Sequence, residues 1–264
     1  MTWTDVLPVV FAIFLWWFTT GLFMSVYGRP PAVLRRAFAI GTGLLIAALL
    51  GLWVTRGSDS PLAVTIAVTC GVLVWGWQVA AYYLGFITGP PLIDSPQRPN
   101  WKRSLIERFR LALTASLYHE LMALGTALLL IVVTWNQPNR WGLWMYLALW
   151  LMHLSAKLNV FFGVRNFHIE VLPRELHHLA AYLTPRSSNA FFPFSVAIIG
   201  ALTWMLIAQA INGGGGTGPT VGAVMVATMT ALGFLEHWML VLPLPATLWG
   251  WSIRPLPEPV EEGD

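Results

Sequence analysis

The chain has 264 residues, of which 56% are hydrophobic and only 10% charged, with 15 Trp and a formal net charge of +3. Its mean hydropathy is +0.65. Such a composition excludes a water-soluble domain and points to an all-α, polytopic membrane protein. The small positive charge follows from where the basic residues sit, so it implies no nucleic-acid partner.

Seven apolar stretches are long enough to cross a hydrocarbon core about 30 Å thick. In chain order they are 5–27, 34–54, 62–86, 111–134, 141–161, 191–211 and 219–243. Runs such as Leu44 to Leu50 lack the alternation of a β-barrel strand and favour helix. Residues 1–243 are thus expected to form one seven-helix domain, followed by a Pro-rich acidic tail over 244–264. That tail carries Glu258, Glu261 and Glu262 and is too polar to pack. Met1 to Asp5 lack a basic leader, so no cleavable signal peptide is expected.

Orientation follows from the Lys and Arg residues. On one side lie Arg29, Arg35, Arg36, Arg98, Lys102, Arg103, Arg108, Arg110, Arg165, Arg174, Arg186 and Arg254; on the other lie only Arg56 and Arg140. Twelve against two places the N-terminus outside and the C-terminus in the cytoplasm of a bacterial inner membrane, cytoplasmic or intracytoplasmic. Trp3, Trp53, Trp135, Trp141, Trp249 and Trp251 fall near span ends, as an interfacial belt does. Trp16, Trp17, Trp75, Trp77 and Trp150 lie deeper, either as packing bulk or as a stacking surface for a flat ligand. Cys70 stands alone within the third span and reads as a small packing residue.

Between the spans, residues 87–110 hold Gly89-Pro90-Pro91 and a basic cluster suited to anionic lipid headgroups. Residues 162–190 are more specific. Pro173 can open a short helix over 173–184, with Leu172, Leu176, Leu179 and Leu183 as one apolar stripe. Glu175 and His178 form a Glu-x-x-His pair, a metal-ligand spacing in di-iron bundles, though interfacial helices also carry such residues for solubility. This helix is expected to lie as a lid over the cytoplasmic mouth of the bundle. Gly213 to Gly216 form a short outer turn; no strand precedes it and no Lys-Ser/Thr follows, so it is no phosphate loop.

Polar residues inside the spans carry the functional signal. A charge near the bilayer centre costs roughly 2.5–3.5 kcal/mol on insertion scales, so such groups face one another, a cavity or a ligand. His119-Glu120, His153 with Lys157, Glu236-His237 and Gln78 all fall about 10–15 Å from the cytoplasmic ends of their spans. They are expected to converge in one pocket of the cytoplasmic half. Three readings remain open. The cluster is a hydrogen-bonded packing network, a proton path, or a site for a metal ion or tetrapyrrole with His119, Glu120, His153, Glu236 and His237 as donors. No Ser-His-Asp or Cys-His catalytic pattern is legible.

Several stretches carry a resemblance. They are Trp16-Trp17-Phe18-Thr19-Thr20-Gly21, Gly85-Phe86-Ile87-Thr88-Gly89-Pro90, Tyr118-His119-Glu120, Ser155-Ala156-Lys157-Leu158-Asn159 with Phe162-Gly163-Val164, and Leu235-Glu236-His237-Trp238 leading to Val241-Leu242-Pro243-Leu244-Pro245. In these stretches and their order the chain resembles the PuhE-type photosynthetic complex assembly proteins of purple bacteria. The resemblance implies a role in building the reaction centre and light-harvesting ring, or in supplying bacteriochlorophyll, and leaves open whether the protein turns anything over. It brings no catalytic residues. Expected partners are membrane lipids and photosynthetic complex subunits or pigment-synthesis proteins, met through small residues such as Gly41, Gly43, Ala47, Ala48 and Gly51. The alternative is a membrane metalloenzyme, di-metal or haem, acting on a tetrapyrrole or another lipophilic substrate.

Overall fold

The computed structural model describes residues 3–89, 104–166, 186–213 and 216–242. These residues form seven helices and no strand. The helices are α1 (Trp3–Val26), α2 (Pro31–Thr55), α3 (Pro61–Tyr83), α4 (Leu105–Val133), α5 (Trp141–Phe162), α6 (Phe192–Asn212) and α7 (Gly218–Val241). All seven are long and apolar enough to cross a membrane.

Local chemistry sets the ends. Pro31, Pro61, Pro193 and Pro219 stand in first turns, where a missing N–H costs nothing. The Ser60 hydroxyl accepts from the Ala63 N–H and starts α3. α4 starts at Leu105, six residues ahead of the span expected from hydropathy. A capping box explains the difference: the Glu107 N–H donates to Ser104 Oγ at 3.2 Å, and the Ser104 N–H to Glu107 Oε2 at 2.9 Å. Arg108 and Arg110 therefore ride on the helix. α3 ends at Tyr83 rather than near 86, and Gly85 then adopts φ +72°, a conformation that other residues rarely take.

α3, α5 and α7 form the centre of the bundle. One core layer joins α1, α3, α5 and α7 through Ala12, Val68, Met145 and Met225; another joins α2, α3, α4 and α5 through Leu52, Val74, Ala127 and Tyr146. α6 packs chiefly on α7. Lipid tails are as apolar as Leu, so close approach of backbones supplies much of the helix attraction in a membrane. A Cβ on Gly71 would collide with the Gly142 carbonyl, and one on Gly142 with the side chain of Leu52 and the carbonyl of Ala67. α3 and α5 therefore touch backbone to backbone. Cys70 is buried with a free thiol, and a Cβ on Gly51 would lie 2.6 Å from its sulfur.

The small-residue face of α2 divides. Ala48 and Gly51 turn inward onto α3, while Gly43 and Ala47 stay exposed. The expected partner surface is thus reduced on the α3 side. The lid helix 173–184, with Glu175 and His178, lies outside the described residues, as does the tail.

Candidate functional site

Three helices converge on the site. On α3, Trp75, Gln78 and Tyr82 lie at i, i+3 and i+7 and share a face. On α5, Tyr146, Trp150, His153 and Lys157 form one stripe by the same rule. α4 presents Ala115, His119, Ala123 and Ala127 at four-residue intervals, all buried. The three alanines let α4 approach closely, and His119 becomes fully enclosed, at 0% exposure.

His119 is surrounded by rings. Its centroid lies 5.0 Å from Tyr82, 5.7 Å from Trp75 and 5.8 Å from His153. His153 in turn meets Trp75 at 5.4 Å and Tyr83 at 6.5 Å. Neither ring nitrogen of His119 has a hydrogen-bond partner, and neither does Nε2 of His153. Buried polar atoms are nearly always paired, so three open nitrogens in one spot require an explanation. A neutral imidazole in this setting presents an unshared nitrogen lone pair.

The charges beside them are closed off. Lys157 Nζ lies 2.9 Å from Glu120 Oε1, and Trp150 Nε1 donates to Glu120 Oε2 at 2.9 Å. Lys157 also lies 5.1 Å from the Tyr82 ring centroid. Gln78 is likewise satisfied: it accepts from the Tyr146 hydroxyl at 2.7 Å and donates to Thr126 at 2.6 Å. The Tyr146 hydroxyl also reaches the Ala123 carbonyl at 2.9 Å, and Tyr82 donates to the Ala115 carbonyl at 3.3 Å. Two tyrosines thus tie α4 to its neighbours on either side of His119.

Glu236 and His237 do not join this group. His237 Nε2 lies 3.0 Å from Ser155 Oγ, and its Nδ1 lies 2.8 Å from the Gly233 carbonyl. Ser155 is two residues from both His153 and Lys157, about 200° around α5, so His237 meets the opposite face of that helix. Glu236, about 100° further around α7, accepts from Trp16 of α1 at 3.1 Å. The single pocket expected from common depth is therefore two sites separated by α5. Among the described residues no three His, Cys, Asp or Glu side chains lie close enough to hold one metal ion. The donor set His119, Glu120, His153, Glu236 and His237 is accordingly not assembled around one point.

Sequence reasoning gave no role to Tyr82, Tyr83 and Tyr146, and met Ser155 only within a resembling stretch. Aromatic residues within an apolar span give no contrast in hydropathy. Only the i, i+4, i+7 and i+11 register of Tyr146 with Trp150, His153 and Lys157 marked the face.

A family model described as "Protein of unknown function (DUF3623)" matches residues 2–259. The chain belongs to that family. It is 32% identical over 254 residues, spanning 94% of this chain and 91% of the relative, to a protein of Rhodobacter capsulatus described as "Uncharacterized 30.4 kDa protein in puhA 5'region". No solved structure matches. The matched region contains every residue of both sites, so the family is defined over the whole bundle rather than over one loop.

Proposed function

We propose that this family member is a membrane assembly factor for photosynthetic complexes, and that His119 and His153 receive the central metal of a tetrapyrrole such as bacteriochlorophyll or a precursor. The puhA 5' region named for the relative agrees with the PuhE-type resemblance of the sequence. One observation carries the pigment reading: enclosed imidazole nitrogens without partners, set among Trp75, Tyr82 and Tyr83.

Charge argues for a metal already held in a macrocycle. Both Glu120 oxygens are engaged, so a bare divalent ion would meet only neutral imidazoles. Burying such a charge uncompensated is prohibitive, whereas a metal neutralised by its macrocycle needs only an axial nitrogen. The balanced Glu120–Lys157 pair leaves the surroundings close to neutral, which suits that ligand. To reach His119 a macrocycle would have to part α4 from α3 and α5, releasing the bonds of the Tyr82 and Tyr146 hydroxyls to α4.

The test is an absorption spectrum of full-length protein purified in mild detergent from cells that make bacteriochlorophyll. Tetrapyrrole absorbance should co-purify with the wild type. It should fall severalfold in His119→Ala with His153→Ala at unchanged membrane insertion. Pigment-free wild type, or equal occupancy in the double variant, would remove the pigment reading. Loss of assembled reaction centre in a strain lacking the protein tests the assembly role separately.

A further inference from the structure

The hydroxyls of transmembrane helices have a habitual partner, the carbonyl one turn back. Thr42, Thr55, Thr65, Ser116 and Thr228 each donate to the residue four positions earlier. Ser155 does not. Its hydroxyl is directed at His237 Nε2, 3.0 Å away across the α5–α7 contact.

The tautomer of His237 follows from its other nitrogen. Nδ1 lies 2.8 Å from the Gly233 carbonyl, which can only accept, so Nδ1 carries the proton. Nε2 is then the acceptor, and the Ser155 O–H donates to it. A nucleophile bonded to an imidazole whose far nitrogen is oriented by a third group is the arrangement of an activated serine.

The setting holds that geometry. His237 is 1% exposed. A Cβ on Gly233 would collide with the Met152 side chain, so α5 and α7 meet closely one turn from the pair. Asn159, fully buried, donates to the Ser155 carbonyl at 3.0 Å and to Ser195 Oγ at 2.9 Å. Asn189 donates to Asn159 Oδ1 at 3.3 Å. A polar track thus leads from the α5–α6 connection to Ser155. Ser155 itself is only partly buried and stands about 10 Å from the end of α5.

We infer that Ser155 is a nucleophile and His237 its general base, in a site for carboxylic esters of lipophilic alcohols that dissolve in the hydrocarbon layer. Ser155 Oγ forms a bond to the ester carbonyl carbon as its proton passes to His237 Nε2. The bond from that carbon to the alkoxy oxygen breaks with its electron pair, and the leaving alkoxide takes the proton from Nε2. A water molecule repeats the sequence on the acyl-serine and releases the acid. Because the two sites lie on opposite faces of α5, this inference stands apart from the tetrapyrrole reading.

Full-length protein in detergent is treated with a long-chain alkyl fluorophosphonate, and the adduct is located by peptide mass spectrometry. The adduct is expected on Ser155. Its formation should slow by roughly a hundredfold in His237→Gln, the scale of a lost general base, and keep its rate in Ser116→Ala, whose hydroxyl bonds its own helix. Thermal unfolding of each variant checks the fold. A folded wild type that leaves Ser155 unmodified would overturn the inference, and so would a folded His237→Gln variant that reacts at the wild-type rate.

Discussion

Removing Lys157 while keeping Glu120 leaves a carboxylate inside the bundle with only the Trp150 N–H as partner. Breaking one side of an ion pair that is only partly covered (25% and 18% exposed) costs on the order of 1–3 kcal/mol, because the remaining charge keeps part of its desolvation penalty. Lys157→Met should therefore lower the unfolding midpoint markedly. Glu120→Gln with Lys157→Met should recover most of that loss, since the amide can still accept from Trp150. Thermal unfolding in detergent reads both, and a double variant as weak as the single one would reject the pairing as the cause. In the sequence, the shared depth of these groups was visible from counting residues, and the i, i+4 relation of His153 and Lys157 from helix geometry. Which carboxylate Lys157 meets was not. Glu120 and Glu236 are equivalent by depth, and only the azimuth of α4 and α7, set by packing, sends one to Lys157 and the other to Trp16.

The same division between axial and azimuthal information holds for the helices. Hydropathy located all seven, and most ends fell within three residues of the expected positions. The early start of α4 was also written in the chain, as Ser104-x-x-Glu107, but a hydropathy window averages a capping box away. Azimuth again escaped: Gly43 and Gly51 look alike in sequence, yet one is exposed and the other presses on Cys70. Glycine substitutions test the packing directly. Gly71→Ala and Gly142→Ala place a methyl group against facing backbone, which cannot yield as a side chain does. Each should destabilise the α3–α5 contact by about 1–3 kcal/mol, the usual cost of overpacking. Gly76→Ala and Gly125→Ala meet nothing within 4 Å and should leave stability unchanged or slightly raised. Equal behaviour of the two pairs would mean that α3 and α5 do not touch at Gly71 and Gly142.

For the whole molecule, the connections sort into two opposite ends. At one end Asn139 bonds the Thr55 and Arg56 carbonyls, Arg56 reaches the Val133 carbonyl, and the start of α7 abuts Asp59. At the other, Arg108 bonds the Phe161 carbonyl, Asn166 bonds the Met239 and Leu240 carbonyls, and Asn189 bonds the Gly163 carbonyl. Among the described residues, the second end carries Arg29, Arg35, Arg36, Arg108, Arg110, Arg165 and Arg186, and the first only Arg56 and Arg140. Basic residues close to spans are retained on the cytoplasmic side, so the second end should face the cytoplasm. With α1 ending at the Arg29 end, the N-terminus should then be periplasmic. Phosphatase fused after Gly57 or Asn136 should be active and after Asp264 inactive, with a fluorescent reporter showing the reverse pattern. A phosphatase active after Asp264 would invert the orientation. It would also place both intramembrane sites in the periplasmic half, and pigment or ester would then have to reach them from the outer leaflet.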